Sequence, residues 1–191
     1  MIIQRDILEQ LIKWKNRADR KPLILQGARQ IGKTTSIRAF GNTQYSHIAE
    51  FNFDKNKELK RVFEATKDIK RILLELSYYT NAPIIAGETL IFFDEIQECS
   101  EALNTLKYFD EDAPEFHVIA AGSLLGVALN RAGTSFPVGK VNFIQMYPVT
   151  FKEYLRAADE KLYSYAENIS RIDSVPEVVA NKMEEQYRAY Q

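Results

Sequence analysis

GARQIGKTT, residues 27–35, follows the apolar run PLILQ of residues 22–26 and decides the fold. Its pattern is a glycine, four further residues and then Gly32-Lys33-Thr34. An apolar run that breaks into glycine is typical of a buried strand, and we expect a helix to run from Gly32 to about Phe40, ended by Gly41-Asn42. A strand, a glycine-rich loop and a helix in this order predict an α/β fold.

The same stretch predicts a phosphate-binding loop, the Walker A pattern. Glycine lets the backbone curl tightly and approach a small anion closely, so that N–H groups can surround it, and the helix then offers its N-terminus to the phosphates. We expect Lys33 to reach the β- and γ-phosphates of a nucleotide and the Thr34 hydroxyl to bind Mg²⁺. The residues expected to contact the nucleotide are Gly27, Ala28, Arg29, Gln30, Ile31, Gly32, Lys33, Thr34 and Thr35.

A second apolar run, TLIFFDE at residues 89–95, ends in two acids. In a parallel sheet the carboxyl end of a neighbouring strand is where a second metal ligand should lie. We therefore expect Asp94 to hold Mg²⁺, directly or through water, and Glu95 to polarise the attacking water as a general base. The sequence predicts a Walker B strand here.

A third apolar run, FHVIAAGS at residues 116–123, ends in Ser123. A polar side chain at this position can sense the γ-phosphate or position the water, which makes Ser123 a candidate catalytic residue beside Glu95 and Lys33. An ordinary strand-to-loop turn would have the same sequence, and both interpretations stay open.

Strand patterns alternate with helical patterns along the whole chain. Further strands are predicted at residues 48–53 and 141–147, and further helices at residues 4–18, 102–109, 150–158 and 175–190, with one or two helices over residues 55–79. Strands that are apolar throughout are typical of a parallel sheet covered on both faces. The helical tail of residues 156–191 is expected to begin a lid, or a linker to a domain that this sequence does not contain.

The composition is that of a globular protein with almost no net charge. Hydrophobic residues make up 46%, charged residues 27%, and the net charge is −1, so no general attraction to nucleic acid or membrane is implied. The basic piece KWKNRADRK, residues 13–21, fits the C-terminus of a helix, and contact with a nucleic acid is the alternative interpretation. Cys99 is the only cysteine, which favours a reducing cytosol, and no apolar stretch is long enough for a membrane span. We expect a cytoplasmic protein.

These motifs together resemble a known family. GARQIGKTT, FFDEIQ, AAGSLLG and the region from FPVGK to YPVTFKEYL occur in this order between Ile3 and Leu155, and they resemble bacterial and archaeal AAA-like ATPases, whose members typically continue into a C-terminal domain of unknown function. The resemblance implies a three-layer P-loop core at residues 1–155, with a central parallel sheet in the order 5-1-4-3-2 and C-terminal helices. It also implies ATP and Mg²⁺ as ligands.

One position departs from the family pattern. Many relatives have Gly-Arg where this chain has Gly139-Lys140, and lysine lacks the planar fork with which an arginine would bind the γ-phosphate. Lys140 is therefore a weak candidate for an arginine-finger role. Arg131, in the preceding loop, is a weaker candidate, because charges in such a loop are usually solvated.

Three functions compete on this sequence. The first is an ATPase that couples its nucleotide state to an attached domain or partner. The second is an ATP-gated switch that binds ATP or ADP with negligible turnover. The third is a fragment of a DNA helicase, because Asp94-Glu95-Ile96-Gln97 resembles a helicase box. A homo-oligomer stays open, as does a nucleic-acid or protein partner bound through a C-terminal domain that this sequence does not contain. Because no apolar stretch is long enough to cross a bilayer, we expect no membrane partner.

Overall fold

The computed structural model describes residues 3–122, 139–171 and 175–191. The strands are β1 (Leu23–Gln26), β2 (His47–Asn52), β3 (Thr89–Asp94), β4 (His117–Gly122) and β5 (Asn142–Gln145). The described helices are α1 (Ile7–Lys15), α2 (Lys33–Gln44), α3 (Leu59–Ala65), α4 (Ile69–Thr80), α5 (Ser100–Asp112), α6 (Phe151–Ala158), α7 (Glu160–Glu167) and α8 (Glu177–Tyr190). A short 3₁₀ helix at Ile96–Glu98 follows β3.

The five strands form one parallel sheet in the order β2-β3-β4-β1-β5. This is the predicted order 5-1-4-3-2 counted from the other edge, so the expected α/β fold is confirmed. The carboxyl ends of all five strands lie at the same end of the sheet. The pairing of β2 with β3 places Asn52 beside Asp94 at that end.

Two apolar layers cover the sheet. Alternate residues of the central strands face opposite sides: Leu25, Phe92 and Ile119 join α1 and α2 in one core cluster. Ile24 and Phe93 join α3, α4 and α5 in the other. β3 and β4 are buried at every position, as expected for strands covered on both faces. The sheet and the helices on its two faces together form the expected three layers.

Helix α2 differs from its sequence prediction. The expected end at Gly41-Asn42 is wrong, because the helix continues to Gln44. A Cβ atom on Gly41 would lie 2.4 Å from Cδ1 of Ile48. Gly41 therefore serves the close packing of α2 on β2 rather than the end of the helix.

The described chain divides into two compact units, Ile7–Met146 and Met1–Asp6 with Tyr147–Gln191. The first contains the sheet. The second contains Glu153, a carboxylate that is 3% exposed. Glu153 completes a capping box with Thr150 at the start of α6. The predicted domain boundary after residue 155 stays a prediction.

Within the described residues, every helix is too short or too polar to reach across a lipid bilayer.

Candidate functional site

The loop between β1 and α2 curls through three residues with positive φ. These are Gly27 at 154°, Gln30 at 61° and Gly32 at 93°. Gly32 directly precedes α2, so the free N–H groups of the first helical turn begin where the loop ends. The backbone of this loop has the curled form that the sequence predicted.

Gly27 leaves no room for a side chain. A Cβ atom there would lie 2.5 Å from the carbonyl oxygen of Met146 and 2.6 Å from Cδ1 of Ile31. Close approach of the loop to the end of β5 therefore requires glycine at this position.

Lys33, the first residue of α2, turns its ammonium group back over the loop. Its Nζ donates hydrogen bonds to the carbonyl oxygens of Gly27, at 2.8 Å, and Ala28, at 2.6 Å. Burial lowers the pKa of Lys33, and the nearby charges of Glu95 and Asp94 oppose this shift. The side chain is a positive charge held between the loop and two carboxylates.

Thr34 and Asp94 are in direct contact. The Thr34 hydroxyl donates to Asp94 Oδ2 at 3.2 Å, and Asp94 is 7% exposed. Burial raises the pKa of Asp94, and the neighbouring Glu95 adds to the shift, while hydrogen bonds from Thr34 and Asn52 oppose it. A hydroxyl beside a carboxylate is a donor set that suits Mg²⁺, which prefers oxygen ligands.

Glu95 follows β3 in the left-handed region, with φ 51° and ψ 44°. This conformation is uncommon for a residue other than glycine and turns the chain sharply into the 3₁₀ helix. The Gln97 amide donates a hydrogen bond of 2.6 Å to Glu95 Oε2. The two acids of the predicted Walker B strand thus have different surroundings.

These side chains share one cleft of about 390 Å³. It is lined by Arg29, Gln30, Gly32, Lys33, Thr34, Thr35, Asp94 and Glu95. Of the other predicted contact residues, Gly27 and Ala28 accept hydrogen bonds from Lys33, and Ile31 packs against the core cluster of α1 and α2. The fold brings the two predicted motifs together.

Two site residues were missed by reasoning from the sequence. Asn52, the last residue of β2, donates from Nδ2 to Asp94 Oδ2 at 3.1 Å, and Gln97 contacts Glu95. Asn52 is the second-last residue of the alternating stretch IAEFNF, and its polar side chain near the end of a predicted strand was a weak signal. Gln97 was visible in the FFDEIQ motif but had no assigned role.

Among the described residues, Lys140 is a predicted candidate that does not line this cleft. Lys140 precedes the amino end of β5, whereas Asp94 lies at the carboxyl end of β3. Its ammonium group forms ion pairs with Glu111 at 3.0 Å and Asp110 at 3.6 Å. Ser123 and Arg131 lie outside the described residues.

Solved structures with a similar fold share little sequence with this chain. The Aeropyrum pernix ORC1 protein in complex with DNA is 14% identical with a TM-score of 0.50, and the match covers 84% of this chain and 50% of that one. A RuvB mutant from Thermotoga maritima is 17% identical with a TM-score of 0.51, covering 86% of this chain and 52% of that one. This chain therefore spans about half the length of these two proteins. At such identities the likeness shows the fold alone.

No curated protein matches this chain. A family model described as "AAA domain" matches residues 19–155, which include the curled loop, the buried strand β3 and the cleft between them. Since this match covers more than half of the chain, the chain belongs to the AAA family of P-loop ATPase domains.

Proposed function

We propose that this chain binds ATP with Mg²⁺ and hydrolyses it in the cleft between the β1–α2 loop and the end of β3. The observation that carries the proposal is the meeting of Lys33, Thr34, Asp94 and Glu95 in that one cleft. A lysine, a hydroxyl and two carboxylates are the groups that binding and hydrolysing a nucleoside triphosphate requires.

Charge balance supports a divalent cation in this cleft. Among the described residues that line the cleft, the cations Lys33 and Arg29 are matched by the carboxylates Asp94 and Glu95, and a triphosphate would bring several more negative charges. Thr34 and Asp94 would hold Mg²⁺, which would neutralise part of the phosphate charge. The loop N–H groups and Lys33 would bind the phosphates themselves.

Glu95 is the proposed general base. As the oxygen of a water molecule bonds to the γ-phosphorus, the bond from that phosphorus to the oxygen it shares with the β-phosphate breaks. ADP leaves with that oxygen, and the Glu95 carboxylate accepts a proton from the attacking water. The products are ADP and inorganic phosphate.

Binding is tested by calorimetry with ATP, ADP and GTP in the presence of Mg²⁺. Replacing Lys33 by Ala is expected to weaken ATP binding at least ~10-fold, since it removes a charged hydrogen bond of about 1.5–3 kcal/mol. Lys13→Ala removes an exposed lysine of α1 and should leave binding unchanged. Equal affinity of wild type and Lys33→Ala for ATP would contradict the proposed site.

A second function, an ATP-gated switch with negligible turnover, is supported by one feature of the cleft. Among the described residues, Arg29 is the only arginine that lines it, and the transition state of phosphoryl transfer is commonly stabilised by an added arginine. We propose that a second copy or a partner supplies this group. If a second copy supplies the arginine, the turnover number should rise with protein concentration. Such a rise would favour an ATPase that is active as an assembly over a switch with negligible turnover.

A further inference from the structure

The turn after β3 brings the Gln97 side chain back onto Glu95. Glu95 takes the left-handed conformation, and the backbone N–H of Glu98 donates to the Glu95 carbonyl oxygen at 3.0 Å. Ile96, which is fully buried, anchors the turn in the core cluster of α3, α4 and α5. The position of Gln97 relative to Glu95 is therefore set by packed backbone rather than by a free loop.

The two functional atoms of the Gln97 amide have unequal surroundings. Nε2 donates to Glu95 Oε2 at 2.6 Å, whereas Oε1 is buried and has no hydrogen-bond partner among the described residues. A buried carbonyl oxygen without a partner reduces the stability of the fold. An apolar side chain of the same length would avoid that loss, so stability alone does not account for a glutamine here.

We propose that Gln97 is a positioning residue that holds the Glu95 carboxylate in the orientation in which it accepts the proton of the attacking water. The inference rests on the proposed function of Glu95 as general base. Gln97 binds one carboxylate oxygen as a donor, and the second oxygen is the one that takes the proton. Gln97 acts through Glu95 and does not itself contact the reacting atoms.

The decisive variant is Gln97→Met, which keeps the length of the side chain and removes both polar atoms. Loss of orientation at the base is expected to lower kcat for ATP hydrolysis by about 10- to 100-fold, with the KM for ATP and the ATP affinity unchanged. The melting temperature should stay the same or rise, because the unpartnered oxygen is gone. A purely structural glutamine would give the opposite result, with a lower melting temperature and wild-type kcat, and would overturn the proposal.

Asn104 provides a matched control. It lies on α5 and is the other described amide whose carbonyl oxygen is buried without a partner. Asn104→Leu should change the melting temperature as Gln97→Met does, but leave kcat at the wild-type value. An equal fall of kcat in both variants would overturn the proposal, because it would trace the effect to the loss of any buried amide.

A double-mutant cycle with Glu95→Ala separates this inference from the proposed function. When Glu95 is absent, adding Gln97→Met should leave the residual rate unchanged. It should raise the melting temperature by more than it does in the wild type, because no hydrogen bond to Glu95 is then lost. If the wild type binds ATP and releases no phosphate, hydrolysis is disproved. The melting temperatures of the four proteins in the cycle then still show whether Gln97 and Glu95 interact. Additive melting temperatures in that cycle would overturn the role of Gln97, and non-additive ones would support it.

Discussion

At the scale of single residues, the charged form of Asp94 lowers the free energy of unfolding of the nucleotide-free chain. Burial and the neighbouring Glu95 raise its pKa above the ordinary value of 3.8. Between pH 3.8 and the raised pKa the folded chain then binds more protons than the unfolded chain, so the free energy of unfolding falls as the pH rises through that range. Such a loss is expected where a buried charge serves a ligand.

Replacing Asp94 by Asn is expected to raise the melting temperature of the nucleotide-free chain near neutral pH. A gain of about 1 kcal/mol would correspond to about 2–4 °C in a chain of this size. The difference from wild type should shrink as the pH falls towards the raised pKa, because the wild-type carboxyl becomes protonated there. Thermal unfolding followed over a pH series measures both effects.

The control for this prediction is Asp54→Asn, which removes an exposed carboxylate two residues beyond β2. It should leave the melting temperature within about 1 °C of wild type, since surface substitutions usually change stability by less than about 0.5 kcal/mol. A melting temperature of Asp94→Asn below that of wild type near neutral pH would contradict the account.

The candidate site was predictable only where chemistry follows local spacing. Lys33, Thr34, Asp94 and Glu95 were found because phosphate loops and strand-end acids have recognisable patterns. Asn52 contacts Asp94 only because β2 pairs with β3 in one particular register, and no local pattern contains that information. Gln97 lay within a quoted motif, but its contact depends on the left-handed turn at Glu95.

At the scale of elements, helix α6 begins with a capping box whose acid, Glu153, also binds the N-terminal segment of the chain. Glu153 accepts hydrogen bonds from the backbone N–H of Thr150 and of Asp6, each at 2.8 Å, and from Arg5 Nε at 3.1 Å. Burial raises the pKa of Glu153, but these donors outweigh it and lower the pKa below 4.5. The stability that Glu153 contributes is therefore present above pH 4.5 and is lost as the pH falls through the lowered pKa.

Replacing Glu153 by Gln is expected to loosen α6. Glutamine can still form the capping box, but it loses the charge that attracts Arg5. Amide hydrogen exchange in residues 151–158 should accelerate by about 10-fold near neutral pH, which corresponds to about 1.4 kcal/mol. The difference from wild type should shrink under acidic conditions, as Glu153 itself becomes neutral.

Glu160→Gln is the matched control, because Glu160 is an exposed glutamate that begins α7. Its effect on exchange in α6 should be below about 2-fold, the range of a surface charge. Unchanged protection of α6 in Glu153→Gln would show that the charge of this carboxylate does not stabilise the helix.

The elements differ in how well the sequence predicts them. Buried strands and amphipathic helices follow from apolar periodicity, and β3 and β4 lie within the runs that predicted them. The end of α2 was wrong because Gly41 was interpreted as a helix stop, although its small size serves packing against Ile48. A glycine gives the same local signal in both cases, and only the neighbouring strand distinguishes them.

At the scale of the whole molecule, the parallel sheet explains why distant segments form one cleft. The carboxyl ends of all five strands lie at the same end of the sheet, so residues 27–35 and the end of β3 meet although β2, α3 and α4 separate them in sequence. Strand alternation predicted a parallel sheet. The strand order came from the family resemblance, because the pairing of strands distant in sequence leaves no periodic signal in a single chain.

Whether this cleft hydrolyses ATP is decided by phosphate release from saturating ATP with Mg²⁺, compared between wild type and Glu95→Gln. We expect Glu95→Gln to bind ATP with wild-type affinity and to release phosphate about 10²–10⁴-fold more slowly, the usual contribution of a general base. Glu98→Gln, an exposed glutamate in the same 3₁₀ turn, should hydrolyse ATP at the wild-type rate. Phosphate release by Glu95→Gln at the wild-type rate would contradict the account.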